Sequence, residues 1–201
     1  MIKQLIIKVL AATCVLICSI ANADDLKLVD AARKQIGVTI QYDPNYSKLT
    51  YPNGDVPTNK GVCTDVIIRA LRDAHGLDLQ QMVHIDMATN FARYPKLWGL
   101  KRTDANIDHR RVPNLQVYFK RHWLSLNDSK KPIDYEAGDV VTVMLPANLP
   151  HIMLVSDKMQ ATTPLVIHNI GRGTQEEASL FKYPITGHYR LNYSTPIITR
   201  H

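Results

Sequence analysis

The chain has 201 residues, with 24 Lys and Arg against 18 Asp and Glu and a net charge of +6. The basic residues are scattered: Arg110-Arg111 and Lys120-Arg121 are the densest spots, with no aromatic-basic platform around them, which argues against nucleic acid as a partner. Of the three cysteines, Cys14 and Cys18 fall in an N-terminal apolar stretch, so the rest of the chain holds a single thiol, Cys63.

That N-terminal stretch has the layout of an address. Lys3 and Lys8 make a basic start, Val9 to Ile20 is apolar, and Ala21-Asn22-Ala23 is a small-x-small cleavage site. It is too short and wrongly flanked for a membrane span. Ile17 precedes Cys18 where a lipoprotein signal would carry a small residue. Residues 1–23 are therefore expected to be a secretory signal peptide, cleaved after Ala23, which places the protein in the periplasm or outside the cell. Residues 24–201 are long enough for one compact domain with its own core. In an oxidising compartment an unpaired thiol is a liability, so Cys63 is either a small buried hydrophobe or a residue in use.

Helical spacing of Leu28, Val29, Ala32 and Ile36 predicts a first helix over Leu26 to Ile36, ended by Gly37. Val38 to Tyr42 is short and β-prone, and a loop rich in Pro, Asn, Gly and Asp runs on to Lys60. Val66, Ile67, Ala70, Leu71 and Ala74 then form one apolar stripe, predicting a helix over Val62 to His75 closed by Gly76. Cys63 lies one turn before Val66 and Ile67 on that stripe. A helix start offers free N–H groups and a positive dipole end, both of which favour a thiolate. Further helices are expected over Leu79 to Tyr94 and from Pro113 to Trp123. After them Asp139–Leu145, His151–Asp157, Leu165–Ile170 and Gly187–Tyr193 read as strands. Helices first and strands after is an α+β pattern, with an antiparallel sheet and helices on one face.

Alternation puts His151 with Met153 and Val155, and His168 with Val166 and Ile170. Both sets are apolar apart from the histidine, so each ring is expected on the face covered by the cysteine helix. A thiol with a histidine base and a third polar group is the arrangement of nucleophilic acyl transfer. His151 would take the thiol proton, and His168 or its neighbour Asn169 would orient the base. Backbone N–H groups at the helix start would hold the oxyanion. Asp108 and His109 could form a clamp or satisfy their own loop, while His75, His122 and His188 read as structural. Cys63, His151 and His168 suit zinc as ligand types, but no H-E-x-x-H or C-x-x-C spacing accompanies them, so neither a metal nor another cofactor is expected.

Four blocks in order, Val62-Cys63-Thr64-Asp65-Val66-Ile67, Glu136-Ala137-Gly138-Asp139-Val140-Val141, Pro150-His151-Ile152-Met153-Leu154-Val155 and Val166-Ile167-His168, resemble the NlpC-type cell-wall cysteine peptidases. Cys63-Thr64-Asp65 together with Asn106 to Leu115 (NIDHRRVPNL) more closely resembles the bacterial family catalogued as domain of unknown function 1287. The resemblance covers nearly all of residues 24–201. It implies a papain-like fold, a Cys63-His151-His168 triad acting as a monomer on amide bonds of peptidoglycan stem peptides, and Tyr42 near the thiol. Asp65, Asp108, His109, Arg110 and Asn169 are further candidates for oxyanion or substrate contacts. Two departures stand out. The family's C-S-G is Cys63-Thr64-Asp65 here, so Asp65 could instead cap the helix, and residues Leu79 to Leu126 form a helical insertion. The alternatives are a thiol acyl-enzyme acting on a lipid or other ester or thioester, and a non-catalytic wall-binding protein of the same fold.

Overall fold

A computed structural model describes residues 22–192. The apolar stretch with Cys14 and Cys18, and most of the expected signal, lie outside the described residues. Ala23 is the first residue of helix α1 (Ala23–Arg33), and the Asn22 side chain caps that helix by accepting from the Asp24 N–H. Cleavage after Ala23 would remove this cap.

Three more helices follow: α2 (Cys63–His75), α3 (Leu79–Thr89) and α4 (Val112–His122). The apolar stripe read from the sequence is the buried face of α2, where Val66, Ile67, Ala70 and Leu71 are no more than 1% exposed. Each such Val, Ile or Leu contributes about 1.5–3 kcal/mol by leaving water, and truncating Ile67 to Ala would cost roughly 2–5 kcal/mol. Gly76 ends α2 with φ +66°, the left-handed conformation that glycine adopts without strain. The expected helix to Tyr94 instead stops at Thr89 and continues as a 3-10 turn over Phe91–Arg93. Asn90 bonds back to the Asp86 carbonyl and carboxylate there, competing with helical continuation.

The strands are β1 (Gln41–Tyr42), β2 (Lys60–Gly61), β3 (Leu124–Leu126), β4 (Val140–Leu145), β5 (Leu149–Gln160), β6 (Thr163–Asn169), β7 (Thr174–Glu177) and β8 (Ile185–Arg190). β1 and β2 form a parallel pair of two residues each, less than the sequence suggested for Val38 to Tyr42. The other six make an antiparallel sheet in the order β3-β8-β4-β5-β6-β7. The fold is thus α+β, as expected. β3 and β7 were not legible as strands: one is three residues long, and the other reads Thr174-Gln175-Glu176-Glu177.

Both faces of the sheet are covered, and this corrects the expected placement of the histidines. The helices pack on Val140, Ile152, Leu154, Ile167 and Tyr189. Val141, Val143, Met153, Val155 and Val166 belong to a second core on the other side, closed by Tyr135, Leu180 and the partly buried Phe181 and Tyr183. His151 and His168 share the parity of this second set, so they do not face α2. In β5 the run from His151 to Ser156 is buried without alternation, and a strand buried on both faces does not disclose in its sequence which face a given residue takes. No helix among the described residues is long and apolar enough to cross a membrane.

Candidate active site

The loop into α2 fixes where the thiol sits. Val62 is extended at the N-cap, and its N–H donates to Asp65 Oδ2 at 2.6 Å. Asp65 therefore caps the helix start. Arg110 clamps the same carboxylate, Nε to Oδ1 and Nη2 to Oδ2, both at 2.9 Å, with both side chains no more than 3% exposed. Thr64 Oγ1 adds a bond to the Arg110 carbonyl at 3.2 Å. The helical insertion is thus fastened to the first turn of α2. Gly61 has no room for a side chain, since a Cβ there would meet Asp65 Oδ2 at 2.9 Å. Arg69 lies outside the apolar stripe yet is 5% exposed, because the 54–60 loop wraps it with Asp55 and the carbonyls of Val56 and Lys60.

The thiol meets the sheet at its weakest seam. The β5–β6 ladder reaches Leu154↔Ile167 and goes no further toward His151. Val155 donates its N–H to Asp139 on the β4 side, so by alternation the Ile152 N–H points to the β6 side, where the ladder has ended. That N–H, together with the N–H groups of Thr64 and Cys63 itself, lies close enough to the Cys63 sulfur to favour its thiolate. Tyr42, half exposed, has its hydroxyl in the field of Cys63 and Asp65.

On the far side of the seam three polar side chains run diagonally across three strands. Continuing the β5–β6 register by one residue sets Met153 opposite His168, which makes His151 the diagonal neighbour of His168 on the same face. His151 Nε2 lies 2.7 Å from His168 Nδ1. In the β6–β7 pair His168 faces Gln175 and Val166 faces Glu177, so Glu177 is again a diagonal neighbour. His168 Nε2 lies 3.0 Å from Glu177 Oε1 and 3.3 Å from Ser179 Oγ. Arg172 donates to the other oxygen of Glu177.

A family comparison carries the placement. Residues 29–191 match the family described as a domain of unknown function (DUF1287). The chain belongs to this family. A relative in Escherichia coli (strain K12), "Uncharacterized protein YijF", is 58% identical over 167 residues, spanning 83% of this chain and 81% of the relative. The DUF1287 span contains every residue of the cluster, from Tyr42 to Ser179.

Within this DUF1287 domain the site is closed and electrically quiet at rest. Burial pushes the Cys63 thiol up to about 12, with the Asp65 carboxylate adding to the shift against the nearby N–H groups. Burial and the neighbouring His168 bring His151 down to about 3. Burial lowers His168 as well, opposed by Glu177. At rest the thiol and the imidazole are therefore both neutral, not the ion pair that a helix start alone would favour. Desolvation at 5% exposure outweighs the dipole.

The remaining candidates separate cleanly. Asn169 donates to the Gly61 carbonyl at 3.1 Å and accepts from the Gly171 N–H at 3.2 Å, tying β6 to the loop before α2. Asn169 is a strut, and His168 is the residue that touches His151. The Asp108 carboxylate accepts from the Asp104 N–H and from Arg111, closing its own loop. His109 is 2% exposed, with Asp78, Arg72 and Asp55 as its charged neighbours beyond Arg110, and burial holds it down to about 4. His188 bonds Asp139 at 2.7 Å and stacks on Tyr135, a structural role as expected. Asp139 of the Gly-Asp turn is tied up by His188 and Arg190. Among the described residues no group of three or more His, Cys, Asp or Glu side chains is arranged to hold a metal; the Nδ1 of His168 is already occupied by His151.

Sequence reasoning missed Glu177, Arg172 and Ser179. The usable signal was the Gly171-Arg172-Gly173 turn, which folds the next four residues back beside the histidine strand.

Proposed function

We propose that the chain is an exported cysteine hydrolase of papain-like, NlpC-type architecture that cleaves amide bonds, with peptidoglycan stem peptides as its substrate class. The observation that carries this reading is the join of two halves at one seam: a helix-start thiol near the Ile152 N–H, and a buried histidine chain that begins on the residue just before it. In the reaction, the His151 ring, on the residue just before Ile152, reaches the thiol around the open end of the β5–β6 ladder, and its Nδ1 takes the thiol proton as the sulfur adds to the scissile carbonyl. The oxygen that becomes negative is met by N–H groups at the start of α2. Collapse expels the amine, which carries away the proton held by His151, and leaves a thioester on Cys63. Water then loses a proton to His151, attacks the thioester, and frees the acid and the thiol.

Substrate binding has to supply what the resting state lacks. Bringing a polar carbonyl to the N–H groups at the start of α2 would lower the energy of the thiolate relative to the free protein. The test is digestion of purified peptidoglycan by the wild type and Cys63→Ala, with products read by mass spectrometry. New amino and carboxyl termini in stem peptides, absent with Cys63→Ala, support the reading. Intact peptidoglycan beside cleaved lipid esters would move the assignment to the ester-cleaving alternative.

One observation favours a second reading. A thiol at 5% exposure with its ionisation suppressed is what a non-catalytic wall-binding protein that kept the fold would show. Peptidoglycan pull-down without cleavage, together with no labelling of Cys63 by iodoacetamide in the presence of peptidoglycan, would select it.

A further inference from the structure

We infer that Glu177 is a positioning residue that sets the order of protons along the chain Glu177–His168–His151, leaving the Nδ1 of His151 as the one nitrogen free to accept a proton. The inference rests on the reading of His151 as the base for Cys63. It extends that reading to a residue on β7 which touches neither the thiol nor the substrate.

The argument follows from donors and acceptors. A carboxylate only accepts, so at 3.0 Å from Glu177 Oε1 the Nε2 of His168 is the donor and carries the ring proton. A neutral imidazole has one N–H, so the Nδ1 of His168 is a lone pair. At 2.7 Å from it, the Nε2 of His151 must be the donor. That leaves the Nδ1 of His151 unprotonated. Both rings are pushed toward the neutral form by burial, so each has a single proton to place, and one carboxylate at the end decides both. The Ser179 hydroxyl, 3.3 Å from His168 Nε2, is compatible with this order because a hydroxyl also accepts.

Arg172 makes the device testable. It donates to the second oxygen of Glu177 and forms an ion pair with it. In Glu177→Gln one of the two positions becomes an NH2 group. Arg172 has only donors, so the amide oxygen turns toward Arg172 and the NH2 toward His168. A donor there inverts the chain: His168 becomes protonated on Nδ1, it donates to the Nε2 of His151, and the His151 proton moves to Nδ1. The base then presents an N–H to the thiol. Glu177→Ala removes the constraint without imposing the wrong order. A structural role for Glu177 would give the opposite ranking, with the near-isosteric Gln milder than Ala.

The experiment is 15N NMR of the full mature chain with labelled histidine, where protonated and unprotonated ring nitrogens are resolved and His151 is assigned by loss of its signals in His151→Ala. The wild type is expected to show an unprotonated Nδ1 on His151, Glu177→Gln the inverted pattern, and Glu177→Ala a mixture. Peptidoglycan hydrolysis should fall on the order of 10²–10⁴-fold in Glu177→Gln, the size expected when a base is held in its wrong tautomer. The fall should be smaller in Glu177→Ala, and Arg172→Ala placed in the Gln background should recover activity toward the Ala level. A proton on Nδ1 of His151 in the wild type overturns the inference, whatever the fate of the variants. So does a folded Glu177→Gln that keeps the wild-type pattern. The spectrum does not depend on turnover: the expected proton order in a protein that hydrolyses nothing would refute the proposed function and leave the order itself standing.

Discussion

Replacing Asp65 by Asn should cost more stability than any surface charge change, because it separates a cap from a clamp. The carboxylate accepts three bonds, from the Val62 N–H at 2.6 Å and from two Arg110 nitrogens at 2.9 Å. The Asp65 and Arg110 side chains are 3% and 2% exposed, so neither is compensated by water. Asn offers one accepting oxygen where the three donors converge, and turns an NH2 toward at least one of them. The guanidinium stays charged and buried without its counter-ion. Breaking one partner of such a pair costs about 3–5 kcal/mol. At roughly 2–4 °C per kcal/mol for a domain of this size, the midpoint should fall by about 6–20 °C. Arg110→Met alone should be damaging for the mirror reason, since it leaves a buried carboxylate with only a backbone donor. The double variant should be less damaged than the two losses added together, by roughly 1–3 kcal/mol of coupling. Urea unfolding of the four proteins, with slopes compared to exclude a change in the unfolded state, measures this. A loss below about 1 kcal/mol for Asp65→Asn, or strict additivity, would refute the account of how the start of α2 is held.

Stability should fall as the solution is made acidic. Burial holds His151 at about 3 and His109 at about 4 in the folded chain, and lowers His168, against an ordinary histidine value of 6.5. Between these values the unfolded chain binds protons that the folded chain refuses. The stability these rings contribute is thus fully present above about pH 6.5 and declines toward pH 4, by roughly 1 kcal/mol per pH unit per ring; a urea midpoint that stays level from pH 7.5 to 5 would contradict this. In a peptidoglycan assay His151→Ala should lose nearly as much as Cys63→Ala, His168→Ala less, and the Cys63/His151 double variant little more than Cys63→Ala, because members of one unit are not additive. Asn169→Ala should lower the melting temperature without changing the His151 ring pattern by NMR, whereas His168→Ala should change the pattern. N-terminal sequencing of the exported protein should begin at Asp24, and retention of Met1 would overturn the signal assignment.

Much of the scaffold was legible because its signals are local. The stripe Val66, Ile67, Ala70 and Leu71 is one face of α2, and Gly76 ends it in the conformation its position requires. Cys63 was legible as the first residue of that helix. Asp65 as a cap was legible from its spacing to Val62; its clamp by Arg110 was not, because 45 residues separate the pair and only the folded insertion brings them together. The facing of His151 and His168 was misread because β5 is buried on both sides, which removes the alternation that period-two reasoning uses. Glu177 was invisible for a related reason: its strand has no apolar face, and its partner is set by the register of a hairpin. The ionisation of Cys63 was misjudged because a helix start reports the dipole, while exposure, which outweighs it, is a property of the packed fold.

The most direct test of the central claim is to quench the protein with acid during digestion of peptidoglycan fragments and map any covalent adduct by mass spectrometry. The account predicts an acyl group on Cys63, matching the acyl side of the cleaved bond, with no adduct and no products from Cys63→Ala. Products that form at an undiminished rate in Cys63→Ala, with no adduct on the wild type, would contradict it.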